Sequence, residues 1–142
     1  MATTTIRKIL SARAVYTVTP DTSLQDVARS MASHQVGAVA VVDGEALVGI
    51  LTERDIVFRG VGRGQDVRST PAFAIMTRDP VTVDIDDAIS DALAAKLGDA
   101  FRHLPVMENG QLVGLLSYRD IPAEYVMLFE RFREMSTSRA DA

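Results

Sequence analysis

The chain has 142 residues, no cysteine, a charged fraction of 24% and a formal net charge of −4. This length suits one domain-sized unit with a sizeable core, and the composition is that of an ordinary globular protein. The acidic charge argues against nucleic acid or an anionic membrane as the main partner. Without cysteine, disulfides, thiol catalysis and cysteine-ligated zinc are excluded, which is consistent with a reducing cytoplasm.

The N-terminal segment is the one candidate for a targeting signal. It is basic, contains Thr and Ser, and has no acidic residue before Asp21, which is also typical of an organelle transit peptide. A cytoplasmic location is favoured because the segment has no secretory apolar core and its end takes part in an internal repeat. No apolar run approaches the roughly 18 residues that a membrane span needs.

The sequence repeats itself with an offset of 65 residues. VGILTERDI at residues 48–56 returns as VGLLSYRDI at residues 113–121 (113 − 48 = 65). The same offset aligns Thr17 with Thr82 and Asp21 with Asp86, and no gap is needed from residue 17 to residue 56. A register held over this length indicates an internal duplication.

In chain order, each copy predicts a strand, a helix, two strands and a second helix. The first strands are expected at residues 16–18 and 81–83. Helical spacing follows, with a cap near Thr22 or Ser23 in the first copy; the residues that set this spacing are Leu24, Val27, Ala28 and Met31, and in the second copy Ile89, Ala92, Leu93 and Leu97. Two hairpins, with turns at residues 43–44 and 109–110, then lead into helices that begin near Glu53 and Tyr118.

These elements divide the chain into a first repeat at residues 7–60, a connector at 61–74, a second repeat at 75–121, and a C-terminal amphipathic helix and tail at 122–142. Gly60, Gly62 and Gly64 predict a flexible connector. A phosphate-binding loop is disfavoured because no strand precedes these glycines and no Lys-Ser/Thr pair follows them.

The tail is expected to form a new helix with Pro122 at its first position. It has one apolar helical face, made by Tyr125, Leu128, Phe129 and Phe132. That face either packs on its own domain or forms a dimer contact, and the sequence leaves both possibilities open.

The repeated junctions, TERD at residues 52–55 and SYRD at residues 117–120, have two interpretations. In the structural one, a hydroxyl caps the helix and the Asp three residues later completes a capping box. In the functional one, the helix start attracts an anion, and the Asp accepts both hydroxyls of a ribose 2′,3′-diol. Arg54 and Arg119 would add positive charge there, although an exposed helix arginine is commonly just solvated. The two interpretations are compatible, and only the second explains why the whole junction recurs.

The duplicated unit, the junction of Gly, two apolar residues, Thr/Ser, two further residues and Asp, and the RHLPV stretch resemble a tandem pair of CBS domains, the Bateman module, from residue 7 to residue 121. The resemblance implies an α+β fold in which two βαββα repeats pack around a pseudo-two-fold axis, followed by the C-terminal helix. It implies a non-catalytic regulatory module that binds an adenine nucleotide, such as AMP, ADP, ATP or an NAD-type ligand, between the repeats. The implied partners are a second copy in a homodimer and a separate, unidentified regulated protein. The alternative is a structural or interaction protein with a vestigial nucleotide cleft.

The resemblance also implies the residues of two clefts. The ribose would be bound by Asp55 and Asp120, beside the hydroxyls of Thr52 and Ser117. The purine would lie against residues that flank the first strand, Ala14 and Tyr16 in one copy and Asp79 and Val81 in the other, and against the start of the next strand, Val36, Gly37 and Ala38 or Phe101, Arg102 and His103. Because the family often uses these last positions for phosphate, and Gly37 and Ala38 carry no charge, the two sites are expected to be unequal.

An enzyme is the least favoured class of function. His34 and His103 fall at non-equivalent positions of the repeat and lack metal-ligand spacing, and His34 is expected to be a surface residue. No nucleophile with a base and an orienting partner is recognisable. Neither a metal nor a catalytic cofactor is therefore expected.

Overall fold

The computed structural model describes residues 4–10, 13–95, 102–124, 127 and 131. The elements of the first half are α1 (Ile6–Leu10), β1 (Thr17–Val18), α2 (Leu24–His34), β2 (Ala38–Asp43), β3 (Ala46–Thr52), α3 (Glu53–Asp55) with a π-helical continuation (Ile56–Gly60), and a 3-10 turn (Val61–Arg63). The second half has a 3-10 turn (Ala72–Ala74), β4 (Thr77–Arg78), β5 (Val83–Asp84), α4 (Ile89–Ala95), β6 (His103–Glu108), β7 (Gln111–Ser117) and a 3-10 turn (Tyr118–Asp120). No helix within these described ranges is long and apolar enough to cross a membrane.

Two sheets confirm the predicted α+β duplication. One has the order β1-β2-β3-β4 and the other the order β5-β6-β7. In each sheet the first strand is parallel to the next one, which forms an antiparallel hairpin. The hairpins share the 65-residue offset in detail, because their registers shift between Val41 and Val42 and again between Val106 and Met107.

The local signals for the first helix and the turns correspond to the structure. Ser23 is the N-cap of α2, and its Oγ accepts a hydrogen bond from Asp26 N at 3.1 Å. The turn at residues 109–110 has positive φ angles of 52° and 79°, which the Asn-Gly pair tolerates. Leu24, Val27 and Met31 form the buried face of α2, as predicted. Ala28, which was expected on the same face, is exposed.

Two elements of the second copy differ from prediction. Its first strand begins at Val83 rather than at residue 81. The helix expected at Tyr118 is a single 3-10 turn, because Ile121 precedes Pro122 and is extended (φ −79°, ψ 126°), as a residue before proline prefers. Helical residues follow Pro122, as predicted; Leu97 and the tail residues Tyr125, Leu128, Phe129 and Phe132 lie outside the described ranges.

The segment predicted as a flexible connector is folded onto the first repeat. The carbonyl oxygens of Thr70 and Val67 accept hydrogen bonds from Leu24 N and Gln25 N, both at 2.9 Å. These bonds satisfy two of the free N–H groups at the start of α2. Gly60 and Gly62 themselves lie in helical turns, and Gly64 follows as a C-cap with a φ of 74°, so this stretch is not a loose linker.

The core of each repeat is completed by the short segment that comes before the sheet of the other repeat. Ile6 and Leu10 of α1 lie in the core of the second repeat, with Ile89 and Leu104. Ala72, Ile75 and Met76 lie in the core of the first repeat. The backbone repeats the arrangement: Ile6 N donates to Asp87 O at 3.0 Å, and Ala72 N donates to Thr22 O at 2.8 Å. We call α1 and residues 72–76, which begin with the 3-10 turn, the exchanged helices.

The exchanged helices explain the glycine in each copy of the repeated motif. A β-carbon on Gly114 would lie 2.8 Å from Leu10 Cδ1, and one on Gly49 would lie 2.5 Å from Met76 Sδ. Both distances are well below ordinary van der Waals contact. A side chain at Gly49 or Gly114 would therefore force the side chain of Met76 or Leu10 to shift.

Candidate functional site

The two repeated junctions form the predicted capping boxes. In the first copy, Thr52 N donates to Asp55 Oδ2 at 3.0 Å, and Asp55 N donates to Thr52 Oγ1 at 3.1 Å. In the second copy, Ser117 N donates to Asp120 Oδ2 at 2.7 Å. The structural interpretation of the motif is thus confirmed. In each copy it engages one oxygen of the aspartate, Oδ2, and leaves Oδ1 for another partner.

A cavity of 1220 Å³ lies between the repeats and is lined by residues of both. The second repeat contributes its junction, with Ser117, Arg119 and Asp120. The first repeat contributes the segment before β1, the start of β2 and Glu53. Since β7 also contacts β2 and β3, the central strands of the two repeats hold these groups around one space.

The cavity brings together the larger part of the residues predicted for a nucleotide site. Those that line it are Ala14, Tyr16, Val36, Gly37, Ala38, Arg102, His103, Ser117, Arg119 and Asp120. Among the described residues, those predicted for a site but absent from its lining are Thr52, Arg54, Asp55, Asp79 and Val81. Phe101 lies outside the described ranges. The cavity therefore combines the junction of the second copy with the strand positions of both copies.

The first-copy junction has other neighbours. Arg54 places its guanidinium carbon 5.0 Å from the ring centroid of Phe58, within the range of a cation–π contact. Asp55 Oδ1 lies 3.7 Å from Arg59 Nη1. These contacts are among groups on one helical segment and involve no residue of the cavity lining.

Asp120 has an ion-pair partner that the sequence interpretation missed. Arg13 Nη1 lies 2.7 Å from Asp120 Oδ1. The side chain of Asp120 is 15% exposed and that of Arg13 is 52% exposed. Both residues line the cavity, and Asp120 is the more buried of the two. The 65-residue offset aligns Arg13 with Arg78. An arginine at the same position of both copies is the sequence feature from which this residue could have been proposed.

A stacked pair of rings forms another part of the cavity lining. The ring centroids of Tyr16 and His34 lie 3.8 Å apart with an interplanar angle of 20°. His34 Nδ1 lies 2.9 Å from the carbonyl oxygen of Ser30, to which its N–H can donate. His34 is exposed, as predicted, yet it lines the cavity, and nothing in the repeat pattern could reveal this because the offset aligns it with an aspartate, Asp99.

The cavity contains positive groups as well as the acidic Asp120. Burial lowers the pKa of His103 from its ordinary value of 6.5; Asp120 and Glu53 oppose this shift, while Arg119 and Arg102 add to it. The neutral form of the His103 imidazole is thus favoured, although both carboxylates and guanidinium groups act on it. No group of three or more His, Asp or Glu side chains suited to a metal ion occurs in the described part of the chain.

Comparisons with known proteins identify the repeat. The family model described as "CBS domain" matches residues 6–62 and again residues 72–124. The chain is 39% identical over 109 residues to an uncharacterized 17.7 kDa protein of Acidianus ambivalens, a match that covers 75% of this chain. The chain spans 65% of the length of that relative, and 26% of the length of a CBS domain-containing protein of Arabidopsis thaliana that it matches.

Solved structures agree with this family match. A protein with CBS domains from Burkholderia ambifaria has a TM-score of 0.77 at 35% identity, with 82% of this chain and 90% of that chain covered. A CBS domain protein from Pyrobaculum aerophilum, solved in complex with AMP, has a TM-score of 0.77 at 25% identity, with 90% and 99% covered. Two matched repeats, the duplicated fold and these relatives together show that the chain belongs to the CBS domain family, as a tandem CBS pair.

Proposed function

We propose that the protein is a non-catalytic regulatory module that binds an adenine nucleotide in the cavity between its repeats. The observation that carries the proposal is the Asp120 carboxylate, which is held at Oδ2 by Ser117 N and lies at the cavity surface. A carboxylate fixed in this way can accept hydrogen bonds from the two hydroxyls of a ribose. The Pyrobaculum relative solved with AMP supports this class of ligand.

The charges around Asp120 favour a phosphorylated ligand. Arg102 and Arg119 line the same cavity as the carboxylate, and guanidinium groups bind phosphate through paired hydrogen bonds. His103 can add a donor if it becomes protonated beside a phosphate. The base would then lie against Tyr16, whose ring already stacks with that of His34.

The regulatory part of the proposal follows from the mixed origin of the cavity. A ligand that contacts Asp120 in one repeat and Tyr16 in the other binds best at one relative position of the two repeats. Occupancy therefore shifts the population toward that position. A separate regulated protein, in the cytoplasm, would respond to the shift.

A homodimer is the proposed assembly, and an exposed apolar patch supports it. Val57, Phe58 and Val61 are 56%, 60% and 61% exposed on neighbouring helical turns, and such patches commonly mark contacts between proteins. Native mass spectrometry of the wild type should report a dimer, and Phe58→Asp should shift it to a monomer. A wild-type monomer, or a dimer unaffected by Phe58→Asp, would contradict the use of this patch.

Calorimetry tests the ligand class directly. AMP, ADP, ATP and NAD should be titrated into the wild type and into Asp120→Asn and Asp55→Asn, a matched pair of capping aspartates of which only the first lines the cavity. We expect at least one nucleotide to bind, and Asp120→Asn to lose about 1–3 kcal/mol of binding free energy with the loss of a charged hydrogen bond. Asp55→Asn should leave binding in this cavity unchanged.

The negative outcome is equally informative. Absence of heat with all four nucleotides, and of any ligand-dependent rise in melting temperature, would reject the proposal. It would favour the alternative of a structural or interaction protein with a vestigial cleft.

A further inference from the structure

We propose that Arg13 makes the cavity select phosphorylated nucleotides over nucleosides, by exchanging its ion pair with Asp120 for one with the ligand phosphate. The inference rests on the proposed nucleotide site and adds to it a residue outside the repeated motif. It assigns to one side chain both the opening of the ribose position and the recognition of the charged end of the ligand.

Both oxygens of Asp120 already accept a hydrogen bond from the protein. Oδ2 accepts from Ser117 N at 2.7 Å, and Oδ1 accepts from Arg13 Nη1 at 2.7 Å. A ribose diol needs a carboxylate oxygen that can accept its hydroxyl hydrogens. Because the capping bond belongs to the backbone, the contact that yields to the ligand is the one with Arg13.

Arg13 N and Arg13 Nε both donate to Leu10 O, at 3.2 Å and 3.3 Å, and the side chain is 52% exposed. The bond from Nε holds the side chain at the cavity, while Nη1 can exchange Asp120 for another acceptor. A nucleoside would leave this charge without a carboxylate partner, whereas a phosphate would supply a new one with two parallel hydrogen bonds.

The ion pair between Arg13 and Asp120 has no equivalent at the corresponding positions of the other copy. Arg78 holds the equivalent position 65 residues later, but its Nη2 lies 3.5 Å from the carbonyl oxygen of Phe73. The carboxylate equivalent to Asp120, that of Asp55, lies near Arg59 instead. Arg78 is thus a matched control: the same residue type, in the same place in the repeat, without the ion pair.

The experiment compares AMP with adenosine on the wild type, Arg13→Gln, Arg13→Lys and Arg78→Gln, by calorimetry, with a thermal melt to verify that each variant is folded. We expect the wild type to prefer AMP, and Arg13→Gln to lose about 10- to 100-fold in AMP affinity, the factor for a charged hydrogen bond. Adenosine affinity should stay the same or rise, since Asp120 is then free. Arg13→Lys should keep part of the preference, and Arg78→Gln all of it.

The outcomes separate this inference from the proposed function. If the wild type binds AMP but Arg13→Gln weakens AMP and adenosine by the same factor, Arg13 has no part in selecting phosphate and the inference is overturned. Equal preference in Arg13→Gln and Arg78→Gln would overturn it as well. If the wild type binds neither ligand, nor ADP, ATP or NAD, the proposed function fails and this inference fails with it.

Discussion

Leu10 lies directly over Gly114: a β-carbon on that glycine would stand 2.8 Å from Leu10 Cδ1. Leu10 belongs to α1, at the start of the first repeat, and Gly114 belongs to β7, in the second. At this contact α1 packs on the second sheet. Because the two residues are so close, a larger residue at position 114 should destabilise the protein.

Gly114→Ala should lower the free energy of unfolding by about 1–3 kcal/mol, the usual cost of overpacking a core. Leu10→Ala alone should cost about 2–5 kcal/mol as a buried large-to-small change. Because the smaller side chain makes room for the new methyl group, the double variant should cost less than the sum. Urea unfolding of the four proteins in this cycle measures the coupling.

Gly37→Ala is the control for the glycine change. Its new β-carbon would meet the carboxylate of Glu53 at 3.1 Å, and that exposed side chain can move away at little cost. Strict additivity of Gly114→Ala and Leu10→Ala, or an equal cost for Gly37→Ala, would contradict the packing explanation.

The exchanged helices predict where each core loses protection. Ile6→Ala should destabilise by about 2–5 kcal/mol, because Ile6 is fully buried in the second core. Hydrogen exchange should then accelerate first in β6 and β7. Ile75→Ala should do the converse, since Ile75 lies in the first core, and accelerate exchange in β2 and β3.

The opposite pattern would be evidence against the exchange. If Ile6→Ala exposed β2 and β3 while β6 and β7 kept their protection, α1 would belong to the repeat that follows it in sequence.

The two capping hydroxyls separate stability from binding. Thr52→Ala and Ser117→Ala each remove a helix cap and should each cost about 1 kcal/mol of unfolding free energy. Only Ser117 lines the cavity, so only Ser117→Ala should also weaken the nucleotide. Denaturant unfolding gives the first quantity and calorimetry the second; equal losses of affinity in both variants would place the ligand elsewhere.

His103 predicts a dependence of stability on pH. Burial lowers its pKa below 6.5, so the unfolded chain binds more protons than the folded one as the pH falls through 6.5 toward the lower, folded value. The contribution of His103 to stability is thus complete above pH 6.5 and declines below it. His103→Gln should flatten the loss of stability between pH 7.5 and pH 5.5, as measured by urea unfolding in steps of pH.

A bound phosphate should reverse the shift of His103. With a negative charge nearby, the protonated imidazole gains a partner and its pKa rises, so AMP should bind more tightly as the pH falls toward 6. Proton NMR can follow the two histidines separately, with His34→Gln to assign the signals. A His103 pKa that does not respond to AMP would place the phosphate away from it.

The sequence predicted the local features of the fold because their causes are local. The Asn-Gly turn, the Ser23 cap and both capping boxes depend on residues within three positions of one another. The duplication added the α+β architecture, since two matching halves with one apolar face each must cover one another. In the candidate site, the same offset identified Asp120 and its junction.

The sequence did not reveal which surfaces meet. Nothing in the repeat pattern indicates that Ile6 and Leu10 pack in the core of the second repeat, and only the structure places them there. Likewise, Arg13 and His34 line the cavity because of how distant segments pack, and no spacing in the chain encodes that. Pro122 could have predicted the short turn after β7, because the residue before a proline is disfavoured in a helix. The helix was expected at Tyr118 by analogy with the first copy.

The exchanged helices also determine whether either repeat could have a complete core without the other. A polypeptide that began after residue 62 would present the second sheet with no counterpart to Ile6 and Leu10, leaving an open apolar trough over Gly114. One that ended at residue 62 would lack Ala72, Ile75 and Met76 from its core, and Met76 is the residue that packs over Gly49. Each copy thus depends on a segment contributed by the other. Although the repeat occurs twice in the sequence, neither copy has a complete core when it is separated from its partner.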